Sequence, residues 1–539
     1  MALTGMETTR QSALVLLAAL ALCVMSSLFM MPYVPDDSYI SFRYAENLAK
    51  GEGLAFNTDE QPVEAYSNLL WILLCAGLYK AGLELPTFTP YLGLFIAVMN
   101  VLLLWVILVR RRLPALQLVF PLLLFASSGP FVTYAISGLE MPLYALLLLA
   151  TVGWLDLIFA TERLRYYLLL AFTGVLISLC RPEGVVVLPA VLAIIFFLSR
   201  RRQEDSAFYR SRLRNLVIAL GVFVLIVGIY HAWRISYFGE VLPTPFLSKG
   251  GAGKSVFTAW AQNMTIYFEQ QGDYYPPVGY YFGALGIVGV LGLMLSRSNA
   301  VHRKTETAAL LLALMHVAIY FNFKDWMPAM RYHSSIVGLF LLTGVHAQPR
   351  MFKKKEEADR RALLGFWMSG AAVLLISFSG LANMRVITKR TETSKQKSLV
   401  VLGKWLHDNL PQGSVLAISD VGVIPYYSGF KTIDIHRESL TDLYIAKNGF
   451  TKEYFYRRRP DIVIFPSRSQ FATRFYPEHF AVAEDPRFAK RYRHLGSVRY
   501  DWVEDRSYWV YIPLHWPKVS EEAMELFPHG IGSVKYKHN

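Results

Sequence analysis

The chain has 539 residues, of which 54% are hydrophobic and 17% are charged, and its formal net charge is +14. About a quarter of the residues of an ordinary soluble domain are charged, so this composition excludes a disordered chain, a collagen-like fibre and a simple soluble enzyme. It favours one large membrane domain with a smaller soluble part, in which the excess base belongs to cytoplasmic loops.

Apolar runs long enough to cross a bilayer recur as far as Ala382. They begin near residues 12, 86, 115, 138, 166, 184, 213, 279, 306, 333 and 361. Because a transmembrane helix needs about 20 apolar residues, the runs predict about eleven spans. The first run is longer than the apolar part of a secretory signal, about 7–15 residues, so we expect it to be retained. The shorter segment Asn68–Lys80 predicts an interfacial helix, with a membrane span as the alternative.

Basic residues fall on alternate loops between these runs. Three of the clusters, all on one side of the predicted topology, are Arg110–Arg112, Arg200–Arg202 and Lys353–Lys355. The positive-inside rule assigns that side and the N-terminus to the cytoplasm, and it places the tail after Ala382 outside. Because the base is spread over short loops, the sequence does not favour binding to nucleic acid.

The tail, residues 383–539, has a different pattern, in which short apolar strands alternate with helical segments. This predicts a small soluble α/β domain. The predicted elements are a helix at Gln396–Leu410, a strand at Ser414–Ser419, a short helix after Asp420–Gly422, a strand at Lys431–Ile435, a helix at Thr451–Arg459 and a strand at Asp461–Phe465. The abundance of Tyr, Trp and Arg suits sugar stacking and phosphate or carboxylate recognition; the alternative is ordinary core and rim aromatics.

The outer loops carry charged residues of both signs. These are Asp36, Asp37, Glu64, Glu140, Arg181, Glu183, His231, Lys324, Asp325 and Arg331. Charges at the ends of membrane spans are costly unless they face a cavity or one another. Since several of them adjoin span ends, we expect the separate outer loops to converge on one polar site.

The first outer loop, about residues 32–85, begins with two adjacent carboxylates, Asp36 and Asp37. Residues Ser38–Ala49 have helical spacing and predict a helix lying at the membrane interface. Adjacent carboxylates crowd one another, which raises the pKa of one of them and suits proton transfer. The competing interpretation is that an Asp caps the N-terminus of this helix.

Three segments resemble the membrane arabinofuranosyltransferases of the GT-C superfamily, which add terminal arabinofuranose to the mycobacterial cell wall; bacterial pilin arabinosyltransferases are similar. The segments read Asp-Asp-Ser-Tyr-Ile-Ser-Phe-Arg-Tyr at 36–44, Glu-Ala-Tyr-Ser-Asn at 64–68 and Ser-Gly-Leu-Glu-Met-Pro at 137–142. Weaker motifs follow in the same order: Arg181–Gly184, Tyr237–Gly239, Asp325–Pro328 with Arg331, and Asp420–Gly422. The chain departs from the family at Phe323 and Lys324, where small glycines usually precede the Asp.

The resemblance implies a polytopic α-helical GT-C membrane protein with about eleven transmembrane helices and a C-terminal soluble α/β domain. Residues 1–382 are then the catalytic membrane domain and residues 383–539 a periplasmic or extracytoplasmic domain, in the bacterial inner membrane. The implied reaction moves a sugar, expected to be D-arabinofuranose, from a polyprenyl-phosphate donor to a polysaccharide or a pilin-like acceptor. It requires no nucleotide, redox cofactor or nucleic acid, and the sequence leaves open a divalent cation.

The same resemblance implies roles for individual residues. Asp36 or Asp37 is the expected general base for an acceptor hydroxyl, on an inverting or a retaining path. Arg181, His231 and Arg331 are expected at the donor phosphate, and Glu64, Glu140 and Asp325 at sugar hydroxyls or the acceptor. The full set of expected donor- and acceptor-binding residues is Tyr39, Arg43, Glu64, Tyr66, Asn68, Glu140, Arg181, Glu183, His231, Asp325, Trp326 and Arg331.

Other functions fit part of the sequence. A transferase of the same superfamily that uses another lipid-linked sugar, such as mannose, would carry the same motifs. A transporter or flippase for lipid-linked sugars would need polar groups near the bilayer midplane or inverted repeats, whereas the charged motifs here lie at the outer ends of spans. A structural scaffold would not need the outer carboxylates. The tail is expected to help recognise the acceptor.

Overall fold

The computed structural model of the protein describes residues 2–31, 33–199, 206–249, 276–295, 298–320, 327, 330–343, 374–375, 377–386, 388–389, 397–436, 439–467, 476–501 and 506–528. Two expected site residues, Asp325 and Trp326, lie outside these ranges. So does most of the apolar run that begins near residue 361.

The membrane domain is built of helices that cover the predicted runs as far as Thr343. They are α1 (Ala2–Met30), α2 (Asp36–Lys50), α3 (Leu69–Lys80), α4 (Leu85–Arg110), α5 (Ala115–Ala126), α6 (Gly129–Ala135), α7 (Met141–Thr161), α8 (Leu164–Cys180), α9 (Gly184–Ser199), α10 (Ser206–Phe238), α11 (Thr244–Lys249), α12 (Pro276–Leu295), α13 (Ala300–Tyr320), a 3₁₀ helix (Arg331–Ile336) and α14 (Val337–Thr343). Among the described residues, four helices are long and apolar enough to cross a membrane. The bent pair α5 and α6 adds a fifth if it forms one span. The helices support a multi-pass membrane protein, and the count of about eleven spans stays a prediction.

The apolar run that begins near residue 115 is broken, although its length predicts one continuous span. α5 and α6 meet at an angle of 55°, and Pro130 follows the break at a position in the first helical turn that suits its fixed φ. α6 then leads into Gly138, whose φ of +71° favours glycine. A Cβ at Gly138 would lie only 2.9 Å from the Phe42 ring. The glycine therefore lets this loop, which ends in Glu140, approach α2.

α2 confirms the helix predicted over Ser38–Ala49 and begins two residues earlier. Asp36 and Asp37 occupy its first turn and Lys50 its last, and these charges match the helix dipole. Gly51, with a φ of +87°, ends the helix by donating its backbone N–H to Leu48 O at 3.2 Å. α2 packs against α3, so the helix and its carboxylates have a fixed orientation on the membrane domain.

The tail forms one mixed sheet with short helices. Its elements are α15 (Lys397–Asn409), β1 (Val415–Ile418), α16 (Val423–Ser428), β2 (Lys431–Asp434), α17 (Leu443–Asn448), α18 (Lys452–Arg458), β3 (Ile462–Ser467), α19 (Pro477–Ala483), α20 (Pro486–Ala489), β4 (Tyr492–Asp501), β5 (Arg506–Pro513) and α21 (Glu521–Glu525). The strand order is β2–β1–β3–β5–β4. β1 is parallel to β2 and β3, with Ala417 opposite Ile433 and Val463, and β5 is antiparallel to β3 and β4. The predicted strands and helices are confirmed, whereas the sequence did not predict the hairpin β4–β5.

One hydrophobic core joins the first outer loop to the tail. Phe42 and Trp71 belong to the same buried cluster as Leu402, Ile418 and Ile424 of the tail. Burial of apolar surface across this boundary favours a fixed contact between the two parts. The tail therefore packs directly on the first outer loop, and the residues that follow β1 lie beside the N-terminus of α2.

Candidate active site

Glu140 is the centre of a buried charge network at the ends of several helices. Its Oε1 accepts hydrogen bonds from Arg181 Nη1 and, at 3.3 Å, from Arg331 Nη2. Asn68 Nδ2 donates to Oε2 at 2.9 Å. Buried charges are tolerated when they are paired and hydrogen-bonded, and Glu140 is fully buried. The structure thus brings together four of the expected residues from separate segments of the chain.

Arg181 is held from several sides within this network. Its Nε donates to Glu183 Oε1 at 2.5 Å and to the Tyr320 hydroxyl at 2.8 Å. The Tyr332 ring centroid lies 5.0 Å from the guanidinium carbon, a cation–π contact. Tyr320 and Tyr332 are absent from the expected site residues. Their position in the sequence could have indicated them, because they stand on either side of the segment that carries Asp325 and Arg331.

Asp37 joins the network through Arg331. Arg331 Nη1 donates to Asp37 Oδ2 at 3.1 Å, while Nη2 contacts Glu140. The side chain of Asp37 is 27% exposed and that of Glu140 is 1% exposed. Arg331 Nε is buried and has no hydrogen-bond partner among the described residues. Asp37 is thus the more accessible of these two carboxylates, and one buried donor of Arg331 is not used by the described residues.

Asp36 faces the tail instead. Its Oδ1 accepts the backbone N–H of Val423 at 2.8 Å, and its Oδ2 accepts that of Gly422 at 3.1 Å. The interpretation that an Asp is the N-cap of α2 is wrong, because Pro35 occupies that position. The two adjacent carboxylates therefore have different surroundings, which the sequence alone did not distinguish.

Arg43 and Tyr39, expected to bind donor or acceptor, also lie on the face of α2 that contacts the tail. Arg43 donates to Phe56 O at 2.7 Å and, at 2.9 Å each, to the carbonyl oxygens of Pro425 and Phe430. The Tyr39 ring has its centroid 5.4 Å from that of Tyr426. The structure does not bring these two residues into the Glu140 network.

A second buried ion pair lies at the C-terminal end of α10. Arg234 Nε donates to Glu64 Oε2 at 2.6 Å, and Nη1 donates to Val241 O at 2.9 Å. Tyr66 lies nearby, edge-on to Phe238 with centroids 6.1 Å apart. Arg234 is absent from the expected site residues, although a charge inside an apolar run is a signal for a buried partner.

His231 lies one turn before Arg234 on α10. Its ring contacts that of Tyr230, with centroids 5.1 Å apart. Three expected binding residues, Glu64, Tyr66 and His231, thus lie near the C-terminal end of α10. They are separate from the network that contains Arg181 and Arg331.

Glu64 gives the chain a pH-dependent stability. Burial raises the pKa of Glu64 from 4.5 to about 7, against the opposing effect of Arg234. Between pH 4.5 and about 7, Glu64 therefore holds a proton in the folded chain that it releases in the unfolded chain. The resulting stabilisation is complete below pH 4.5 and is lost as the pH rises through about 7.

We expect Glu64→Gln, which is neutral at every pH, to remove this dependence. Between pH 5 and pH 8, the thermal unfolding midpoint of the wild type should fall relative to that of the variant. Thermal unfolding of both proteins across this range measures the difference. A constant difference between the two midpoints would contradict the expectation.

Among the residues that the structure describes, no group of three or more His, Cys, Asp or Glu side chains is arranged to hold a metal ion. Asp37, Glu140 and Glu183 each have an arginine partner instead. A role for a divalent cation therefore depends on the net charge of the network when a donor phosphate is bound.

Comparison with solved structures identifies the fold of the chain. The chain superposes on ArnT from Cupriavidus metallidurans, solved bound to undecaprenyl phosphate, with a TM-score of 0.55 and 11% identity over 92% of this chain and 97% of that one. It also superposes on the apo oligosaccharyltransferase of Archaeoglobus fulgidus, with a TM-score of 0.53 and 14% identity over 84% of this chain and 69% of that one. The chain has the GT-C fold. A helical membrane domain with a soluble C-terminal domain is thus confirmed as the fold class.

Sequence comparison gives two further matches. The chain is 30% identical over 248 residues to the terminal β-(1→2)-arabinofuranosyltransferase of Mycobacterium tuberculosis. The match covers 43% of this chain, and it spans only 36% of the length of that relative. Residues 383–512 match a family model described as a domain of unknown function, DUF8728. The similarity to glycosyltransferases supports an enzyme.

Proposed function

We propose that the chain transfers D-arabinofuranose from a polyprenyl-phosphate donor to a cell-envelope glycan or glycoprotein on the outer face of the bacterial inner membrane. The observation that carries the proposal is the buried network in which Glu140 links Arg181 and Arg331, with Asp37 at its accessible side. The GT-C fold and the arabinofuranosyltransferase match support the donor class and the sugar.

In this mechanism Asp37 is the general base. It accepts the proton of an acceptor hydroxyl as the oxygen attacks the anomeric carbon and the bond from that carbon to the phosphate oxygen breaks. The phosphate leaves as an anion, and Arg331 stabilises it through Nε and through the donors that it turns from Asp37. Asn68 and Glu140 orient Arg331. The anomeric configuration of the product distinguishes an inverting path from a double displacement.

The charge balance gives a reason to test a divalent cation. Arg181 and Arg331 contribute two positive charges, while Asp37, Glu140 and Glu183 contribute three negative ones. A donor phosphate makes the site more anionic still, which costs free energy at a partly dehydrated site. A bound cation would offset that cost. Transfer rates with EDTA and with added Mg²⁺ or Mn²⁺ test whether one is required.

The test of the proposed function is transfer by the purified full chain in nanodiscs. A synthetic farnesyl-phosphate arabinofuranose donor and a short arabinofuranoside acceptor are incubated with the enzyme, and products are identified by mass spectrometry. A mannosyl-phosphate donor is tested in parallel. Transfer of mannose alone would replace the sugar, whereas flipping of the donor across liposomes without transfer would favour a transporter.

The phosphate role of Arg331 makes a separate prediction. Arg331→Gln removes a charged donor, and a hydrogen bond to a charged group is worth about 1.5–3 kcal/mol, so donor affinity should fall about 10–100-fold. Titration with a fluorescent polyprenyl phosphate measures this affinity. Arg487→Gln, at an exposed position of the tail, is the matched control and should leave it unchanged. Equal affinities in both variants would reject the phosphate role.

A further inference from the structure

We infer that the tail is part of the catalytic apparatus, because the contact between Asp36 and the Gly422–Val423 backbone positions the base Asp37. This inference rests on the proposed function and adds to it. Asp36 and Gly422 are positioning residues, since they act through Asp37 and touch no reacting atom. The contact gives the tail a role besides acceptor recognition.

The geometry of a helix links the two carboxylates. Successive residues of an α-helix point about 100° apart, so the direction of Asp36 fixes that of Asp37. The two hydrogen bonds from Gly422 N and Val423 N, at 3.1 and 2.8 Å, hold Asp36 towards the tail. Asp37 is thereby turned to Arg331, 3.1 Å away. Without the tail contact, the first turn of α2 loses the constraint on its rotation.

Gly422 is required for this contact by its lack of a side chain. A Cβ at residue 422 would lie 2.1 Å from the backbone oxygen of Asp36 and 2.4 Å from its Cγ. Both distances are far below van der Waals contact, and the nearer atom belongs to the backbone of α2, which cannot rotate away. Gly422 has a negative φ of −89°, so the close approach of α2, and not a left-handed backbone conformation, accounts for the glycine.

A second anchor holds the same two helices farther along. Arg43, two turns beyond Asp36, donates to Pro425 O and Phe430 O of the tail at 2.9 Å each, and the Tyr426 hydroxyl donates to Glu46. The start of α16 therefore contacts α2 at Asp36, Arg43 and Glu46. Because the main chain supplies most of these partners, the contact specifies an orientation of the helices.

The experiment compares Gly422→Ala and Asp36→Asn with wild type, using the full chain and the smallest acceptor that supports transfer. We expect kcat to fall about tenfold in both variants, with the KM values for donor and acceptor unchanged. If the tail only recognised the acceptor, these two variants would raise the KM for the acceptor and leave kcat unchanged. Gly77→Ala is the matched control, since a Cβ at Gly77 meets nothing within 4 Å.

Hydrogen exchange followed by mass spectrometry provides a readout that needs no activity. Peptides that span residues 36–50 and 415–430 should exchange faster in Gly422→Ala and Asp36→Asn than in wild type and in Gly77→Ala. Faster exchange with a wild-type kcat overturns the inference and leaves the proposed function intact. A wild type that transfers no lipid-linked sugar overturns both. Complete loss of kcat in Asp36→Asn with a wild-type kcat in Gly422→Ala overturns it as well, because Asp36 is then the base.

Discussion

Replacing Asp37 by asparagine is expected to lower kcat for sugar transfer by about 10²–10⁴-fold, the usual contribution of a general base. Asparagine keeps the size of the side chain and can still accept a hydrogen bond from Arg331, but it cannot take a proton from the acceptor hydroxyl. The KM for the donor should change little. Initial rates at saturating donor and acceptor measure the loss.

The neighbouring carboxylates of the first outer loop provide the controls for this variant. Asp59 lies on the same loop, its side chain is 61% exposed and it pairs with Lys431 at 2.8 Å, so Asp59→Asn should transfer sugar at the wild-type rate. Asp36→Asn should lower kcat only about tenfold, because the amide oxygen of the new side chain would still accept a hydrogen bond from one of the two tail N–H groups. A wild-type kcat in Asp37→Asn would remove Asp37 from the mechanism.

The different roles of Asp36 and Asp37 mark a limit of what the sequence predicts. Helical spacing correctly predicts α2, since periodicity is local, and the cost of charge at span ends correctly predicts that Glu140, Arg181 and Arg331 converge. The side on which each of two adjacent carboxylates lies depends on partners that are distant in sequence. Asp36 meets backbone groups 386 and 387 residues away, and no local pattern contains that contact.

Arg43 and Arg234 show the same limit in opposite ways. Arg43 belongs to the motif that carries the family resemblance, yet its partners are carbonyl groups of the tail, 382 and 387 residues away. Arg234 lies outside the motifs and nevertheless pairs with Glu64 across 170 residues. Motif membership therefore predicts that a residue is constrained. Whether the constraint is chemical or structural depends on the tertiary contacts.

The hairpin β4–β5 was missed for a different reason. β4 mixes Arg, His and Gly with few apolar residues, and its register with β5 shifts twice, between His494 and Gly496 and between Arg499 and Asp501. Such irregularities interrupt the period-two alternation that identifies a strand in sequence. The hairpin is held instead by its place in the sheet, where β5 pairs with β3.

Removing the carboxylate of Glu140 is expected to cost the largest amount of stability. Glu140→Ala leaves Arg181 with Glu183 and Arg331 with Asp37, so each guanidinium loses one of its acidic partners while it stays buried. Arg181 Nη1, Arg331 Nη2 and Asn68 Nδ2 each lose a buried carboxylate acceptor. A buried donor left unsatisfied costs about 1–3 kcal/mol. A lower thermal unfolding midpoint in nanodiscs measures the effect.

The exposed pair Lys50–Glu46 provides the comparison for Glu140. Its atoms are 3.5 Å apart, with the Lys50 side chain 46% exposed, and such helix pairs are worth about 0.3–0.5 kcal/mol. Lys50→Ala should therefore barely shift the midpoint. If the pairing of Glu140 with Arg181 contributes to stability, Glu140→Ala combined with Arg181→Ala should be less destabilised than the sum of the two single variants. Additive losses, or a Glu140→Ala midpoint equal to that of Lys50→Ala, would show that the network does not stabilise the fold through charge pairing.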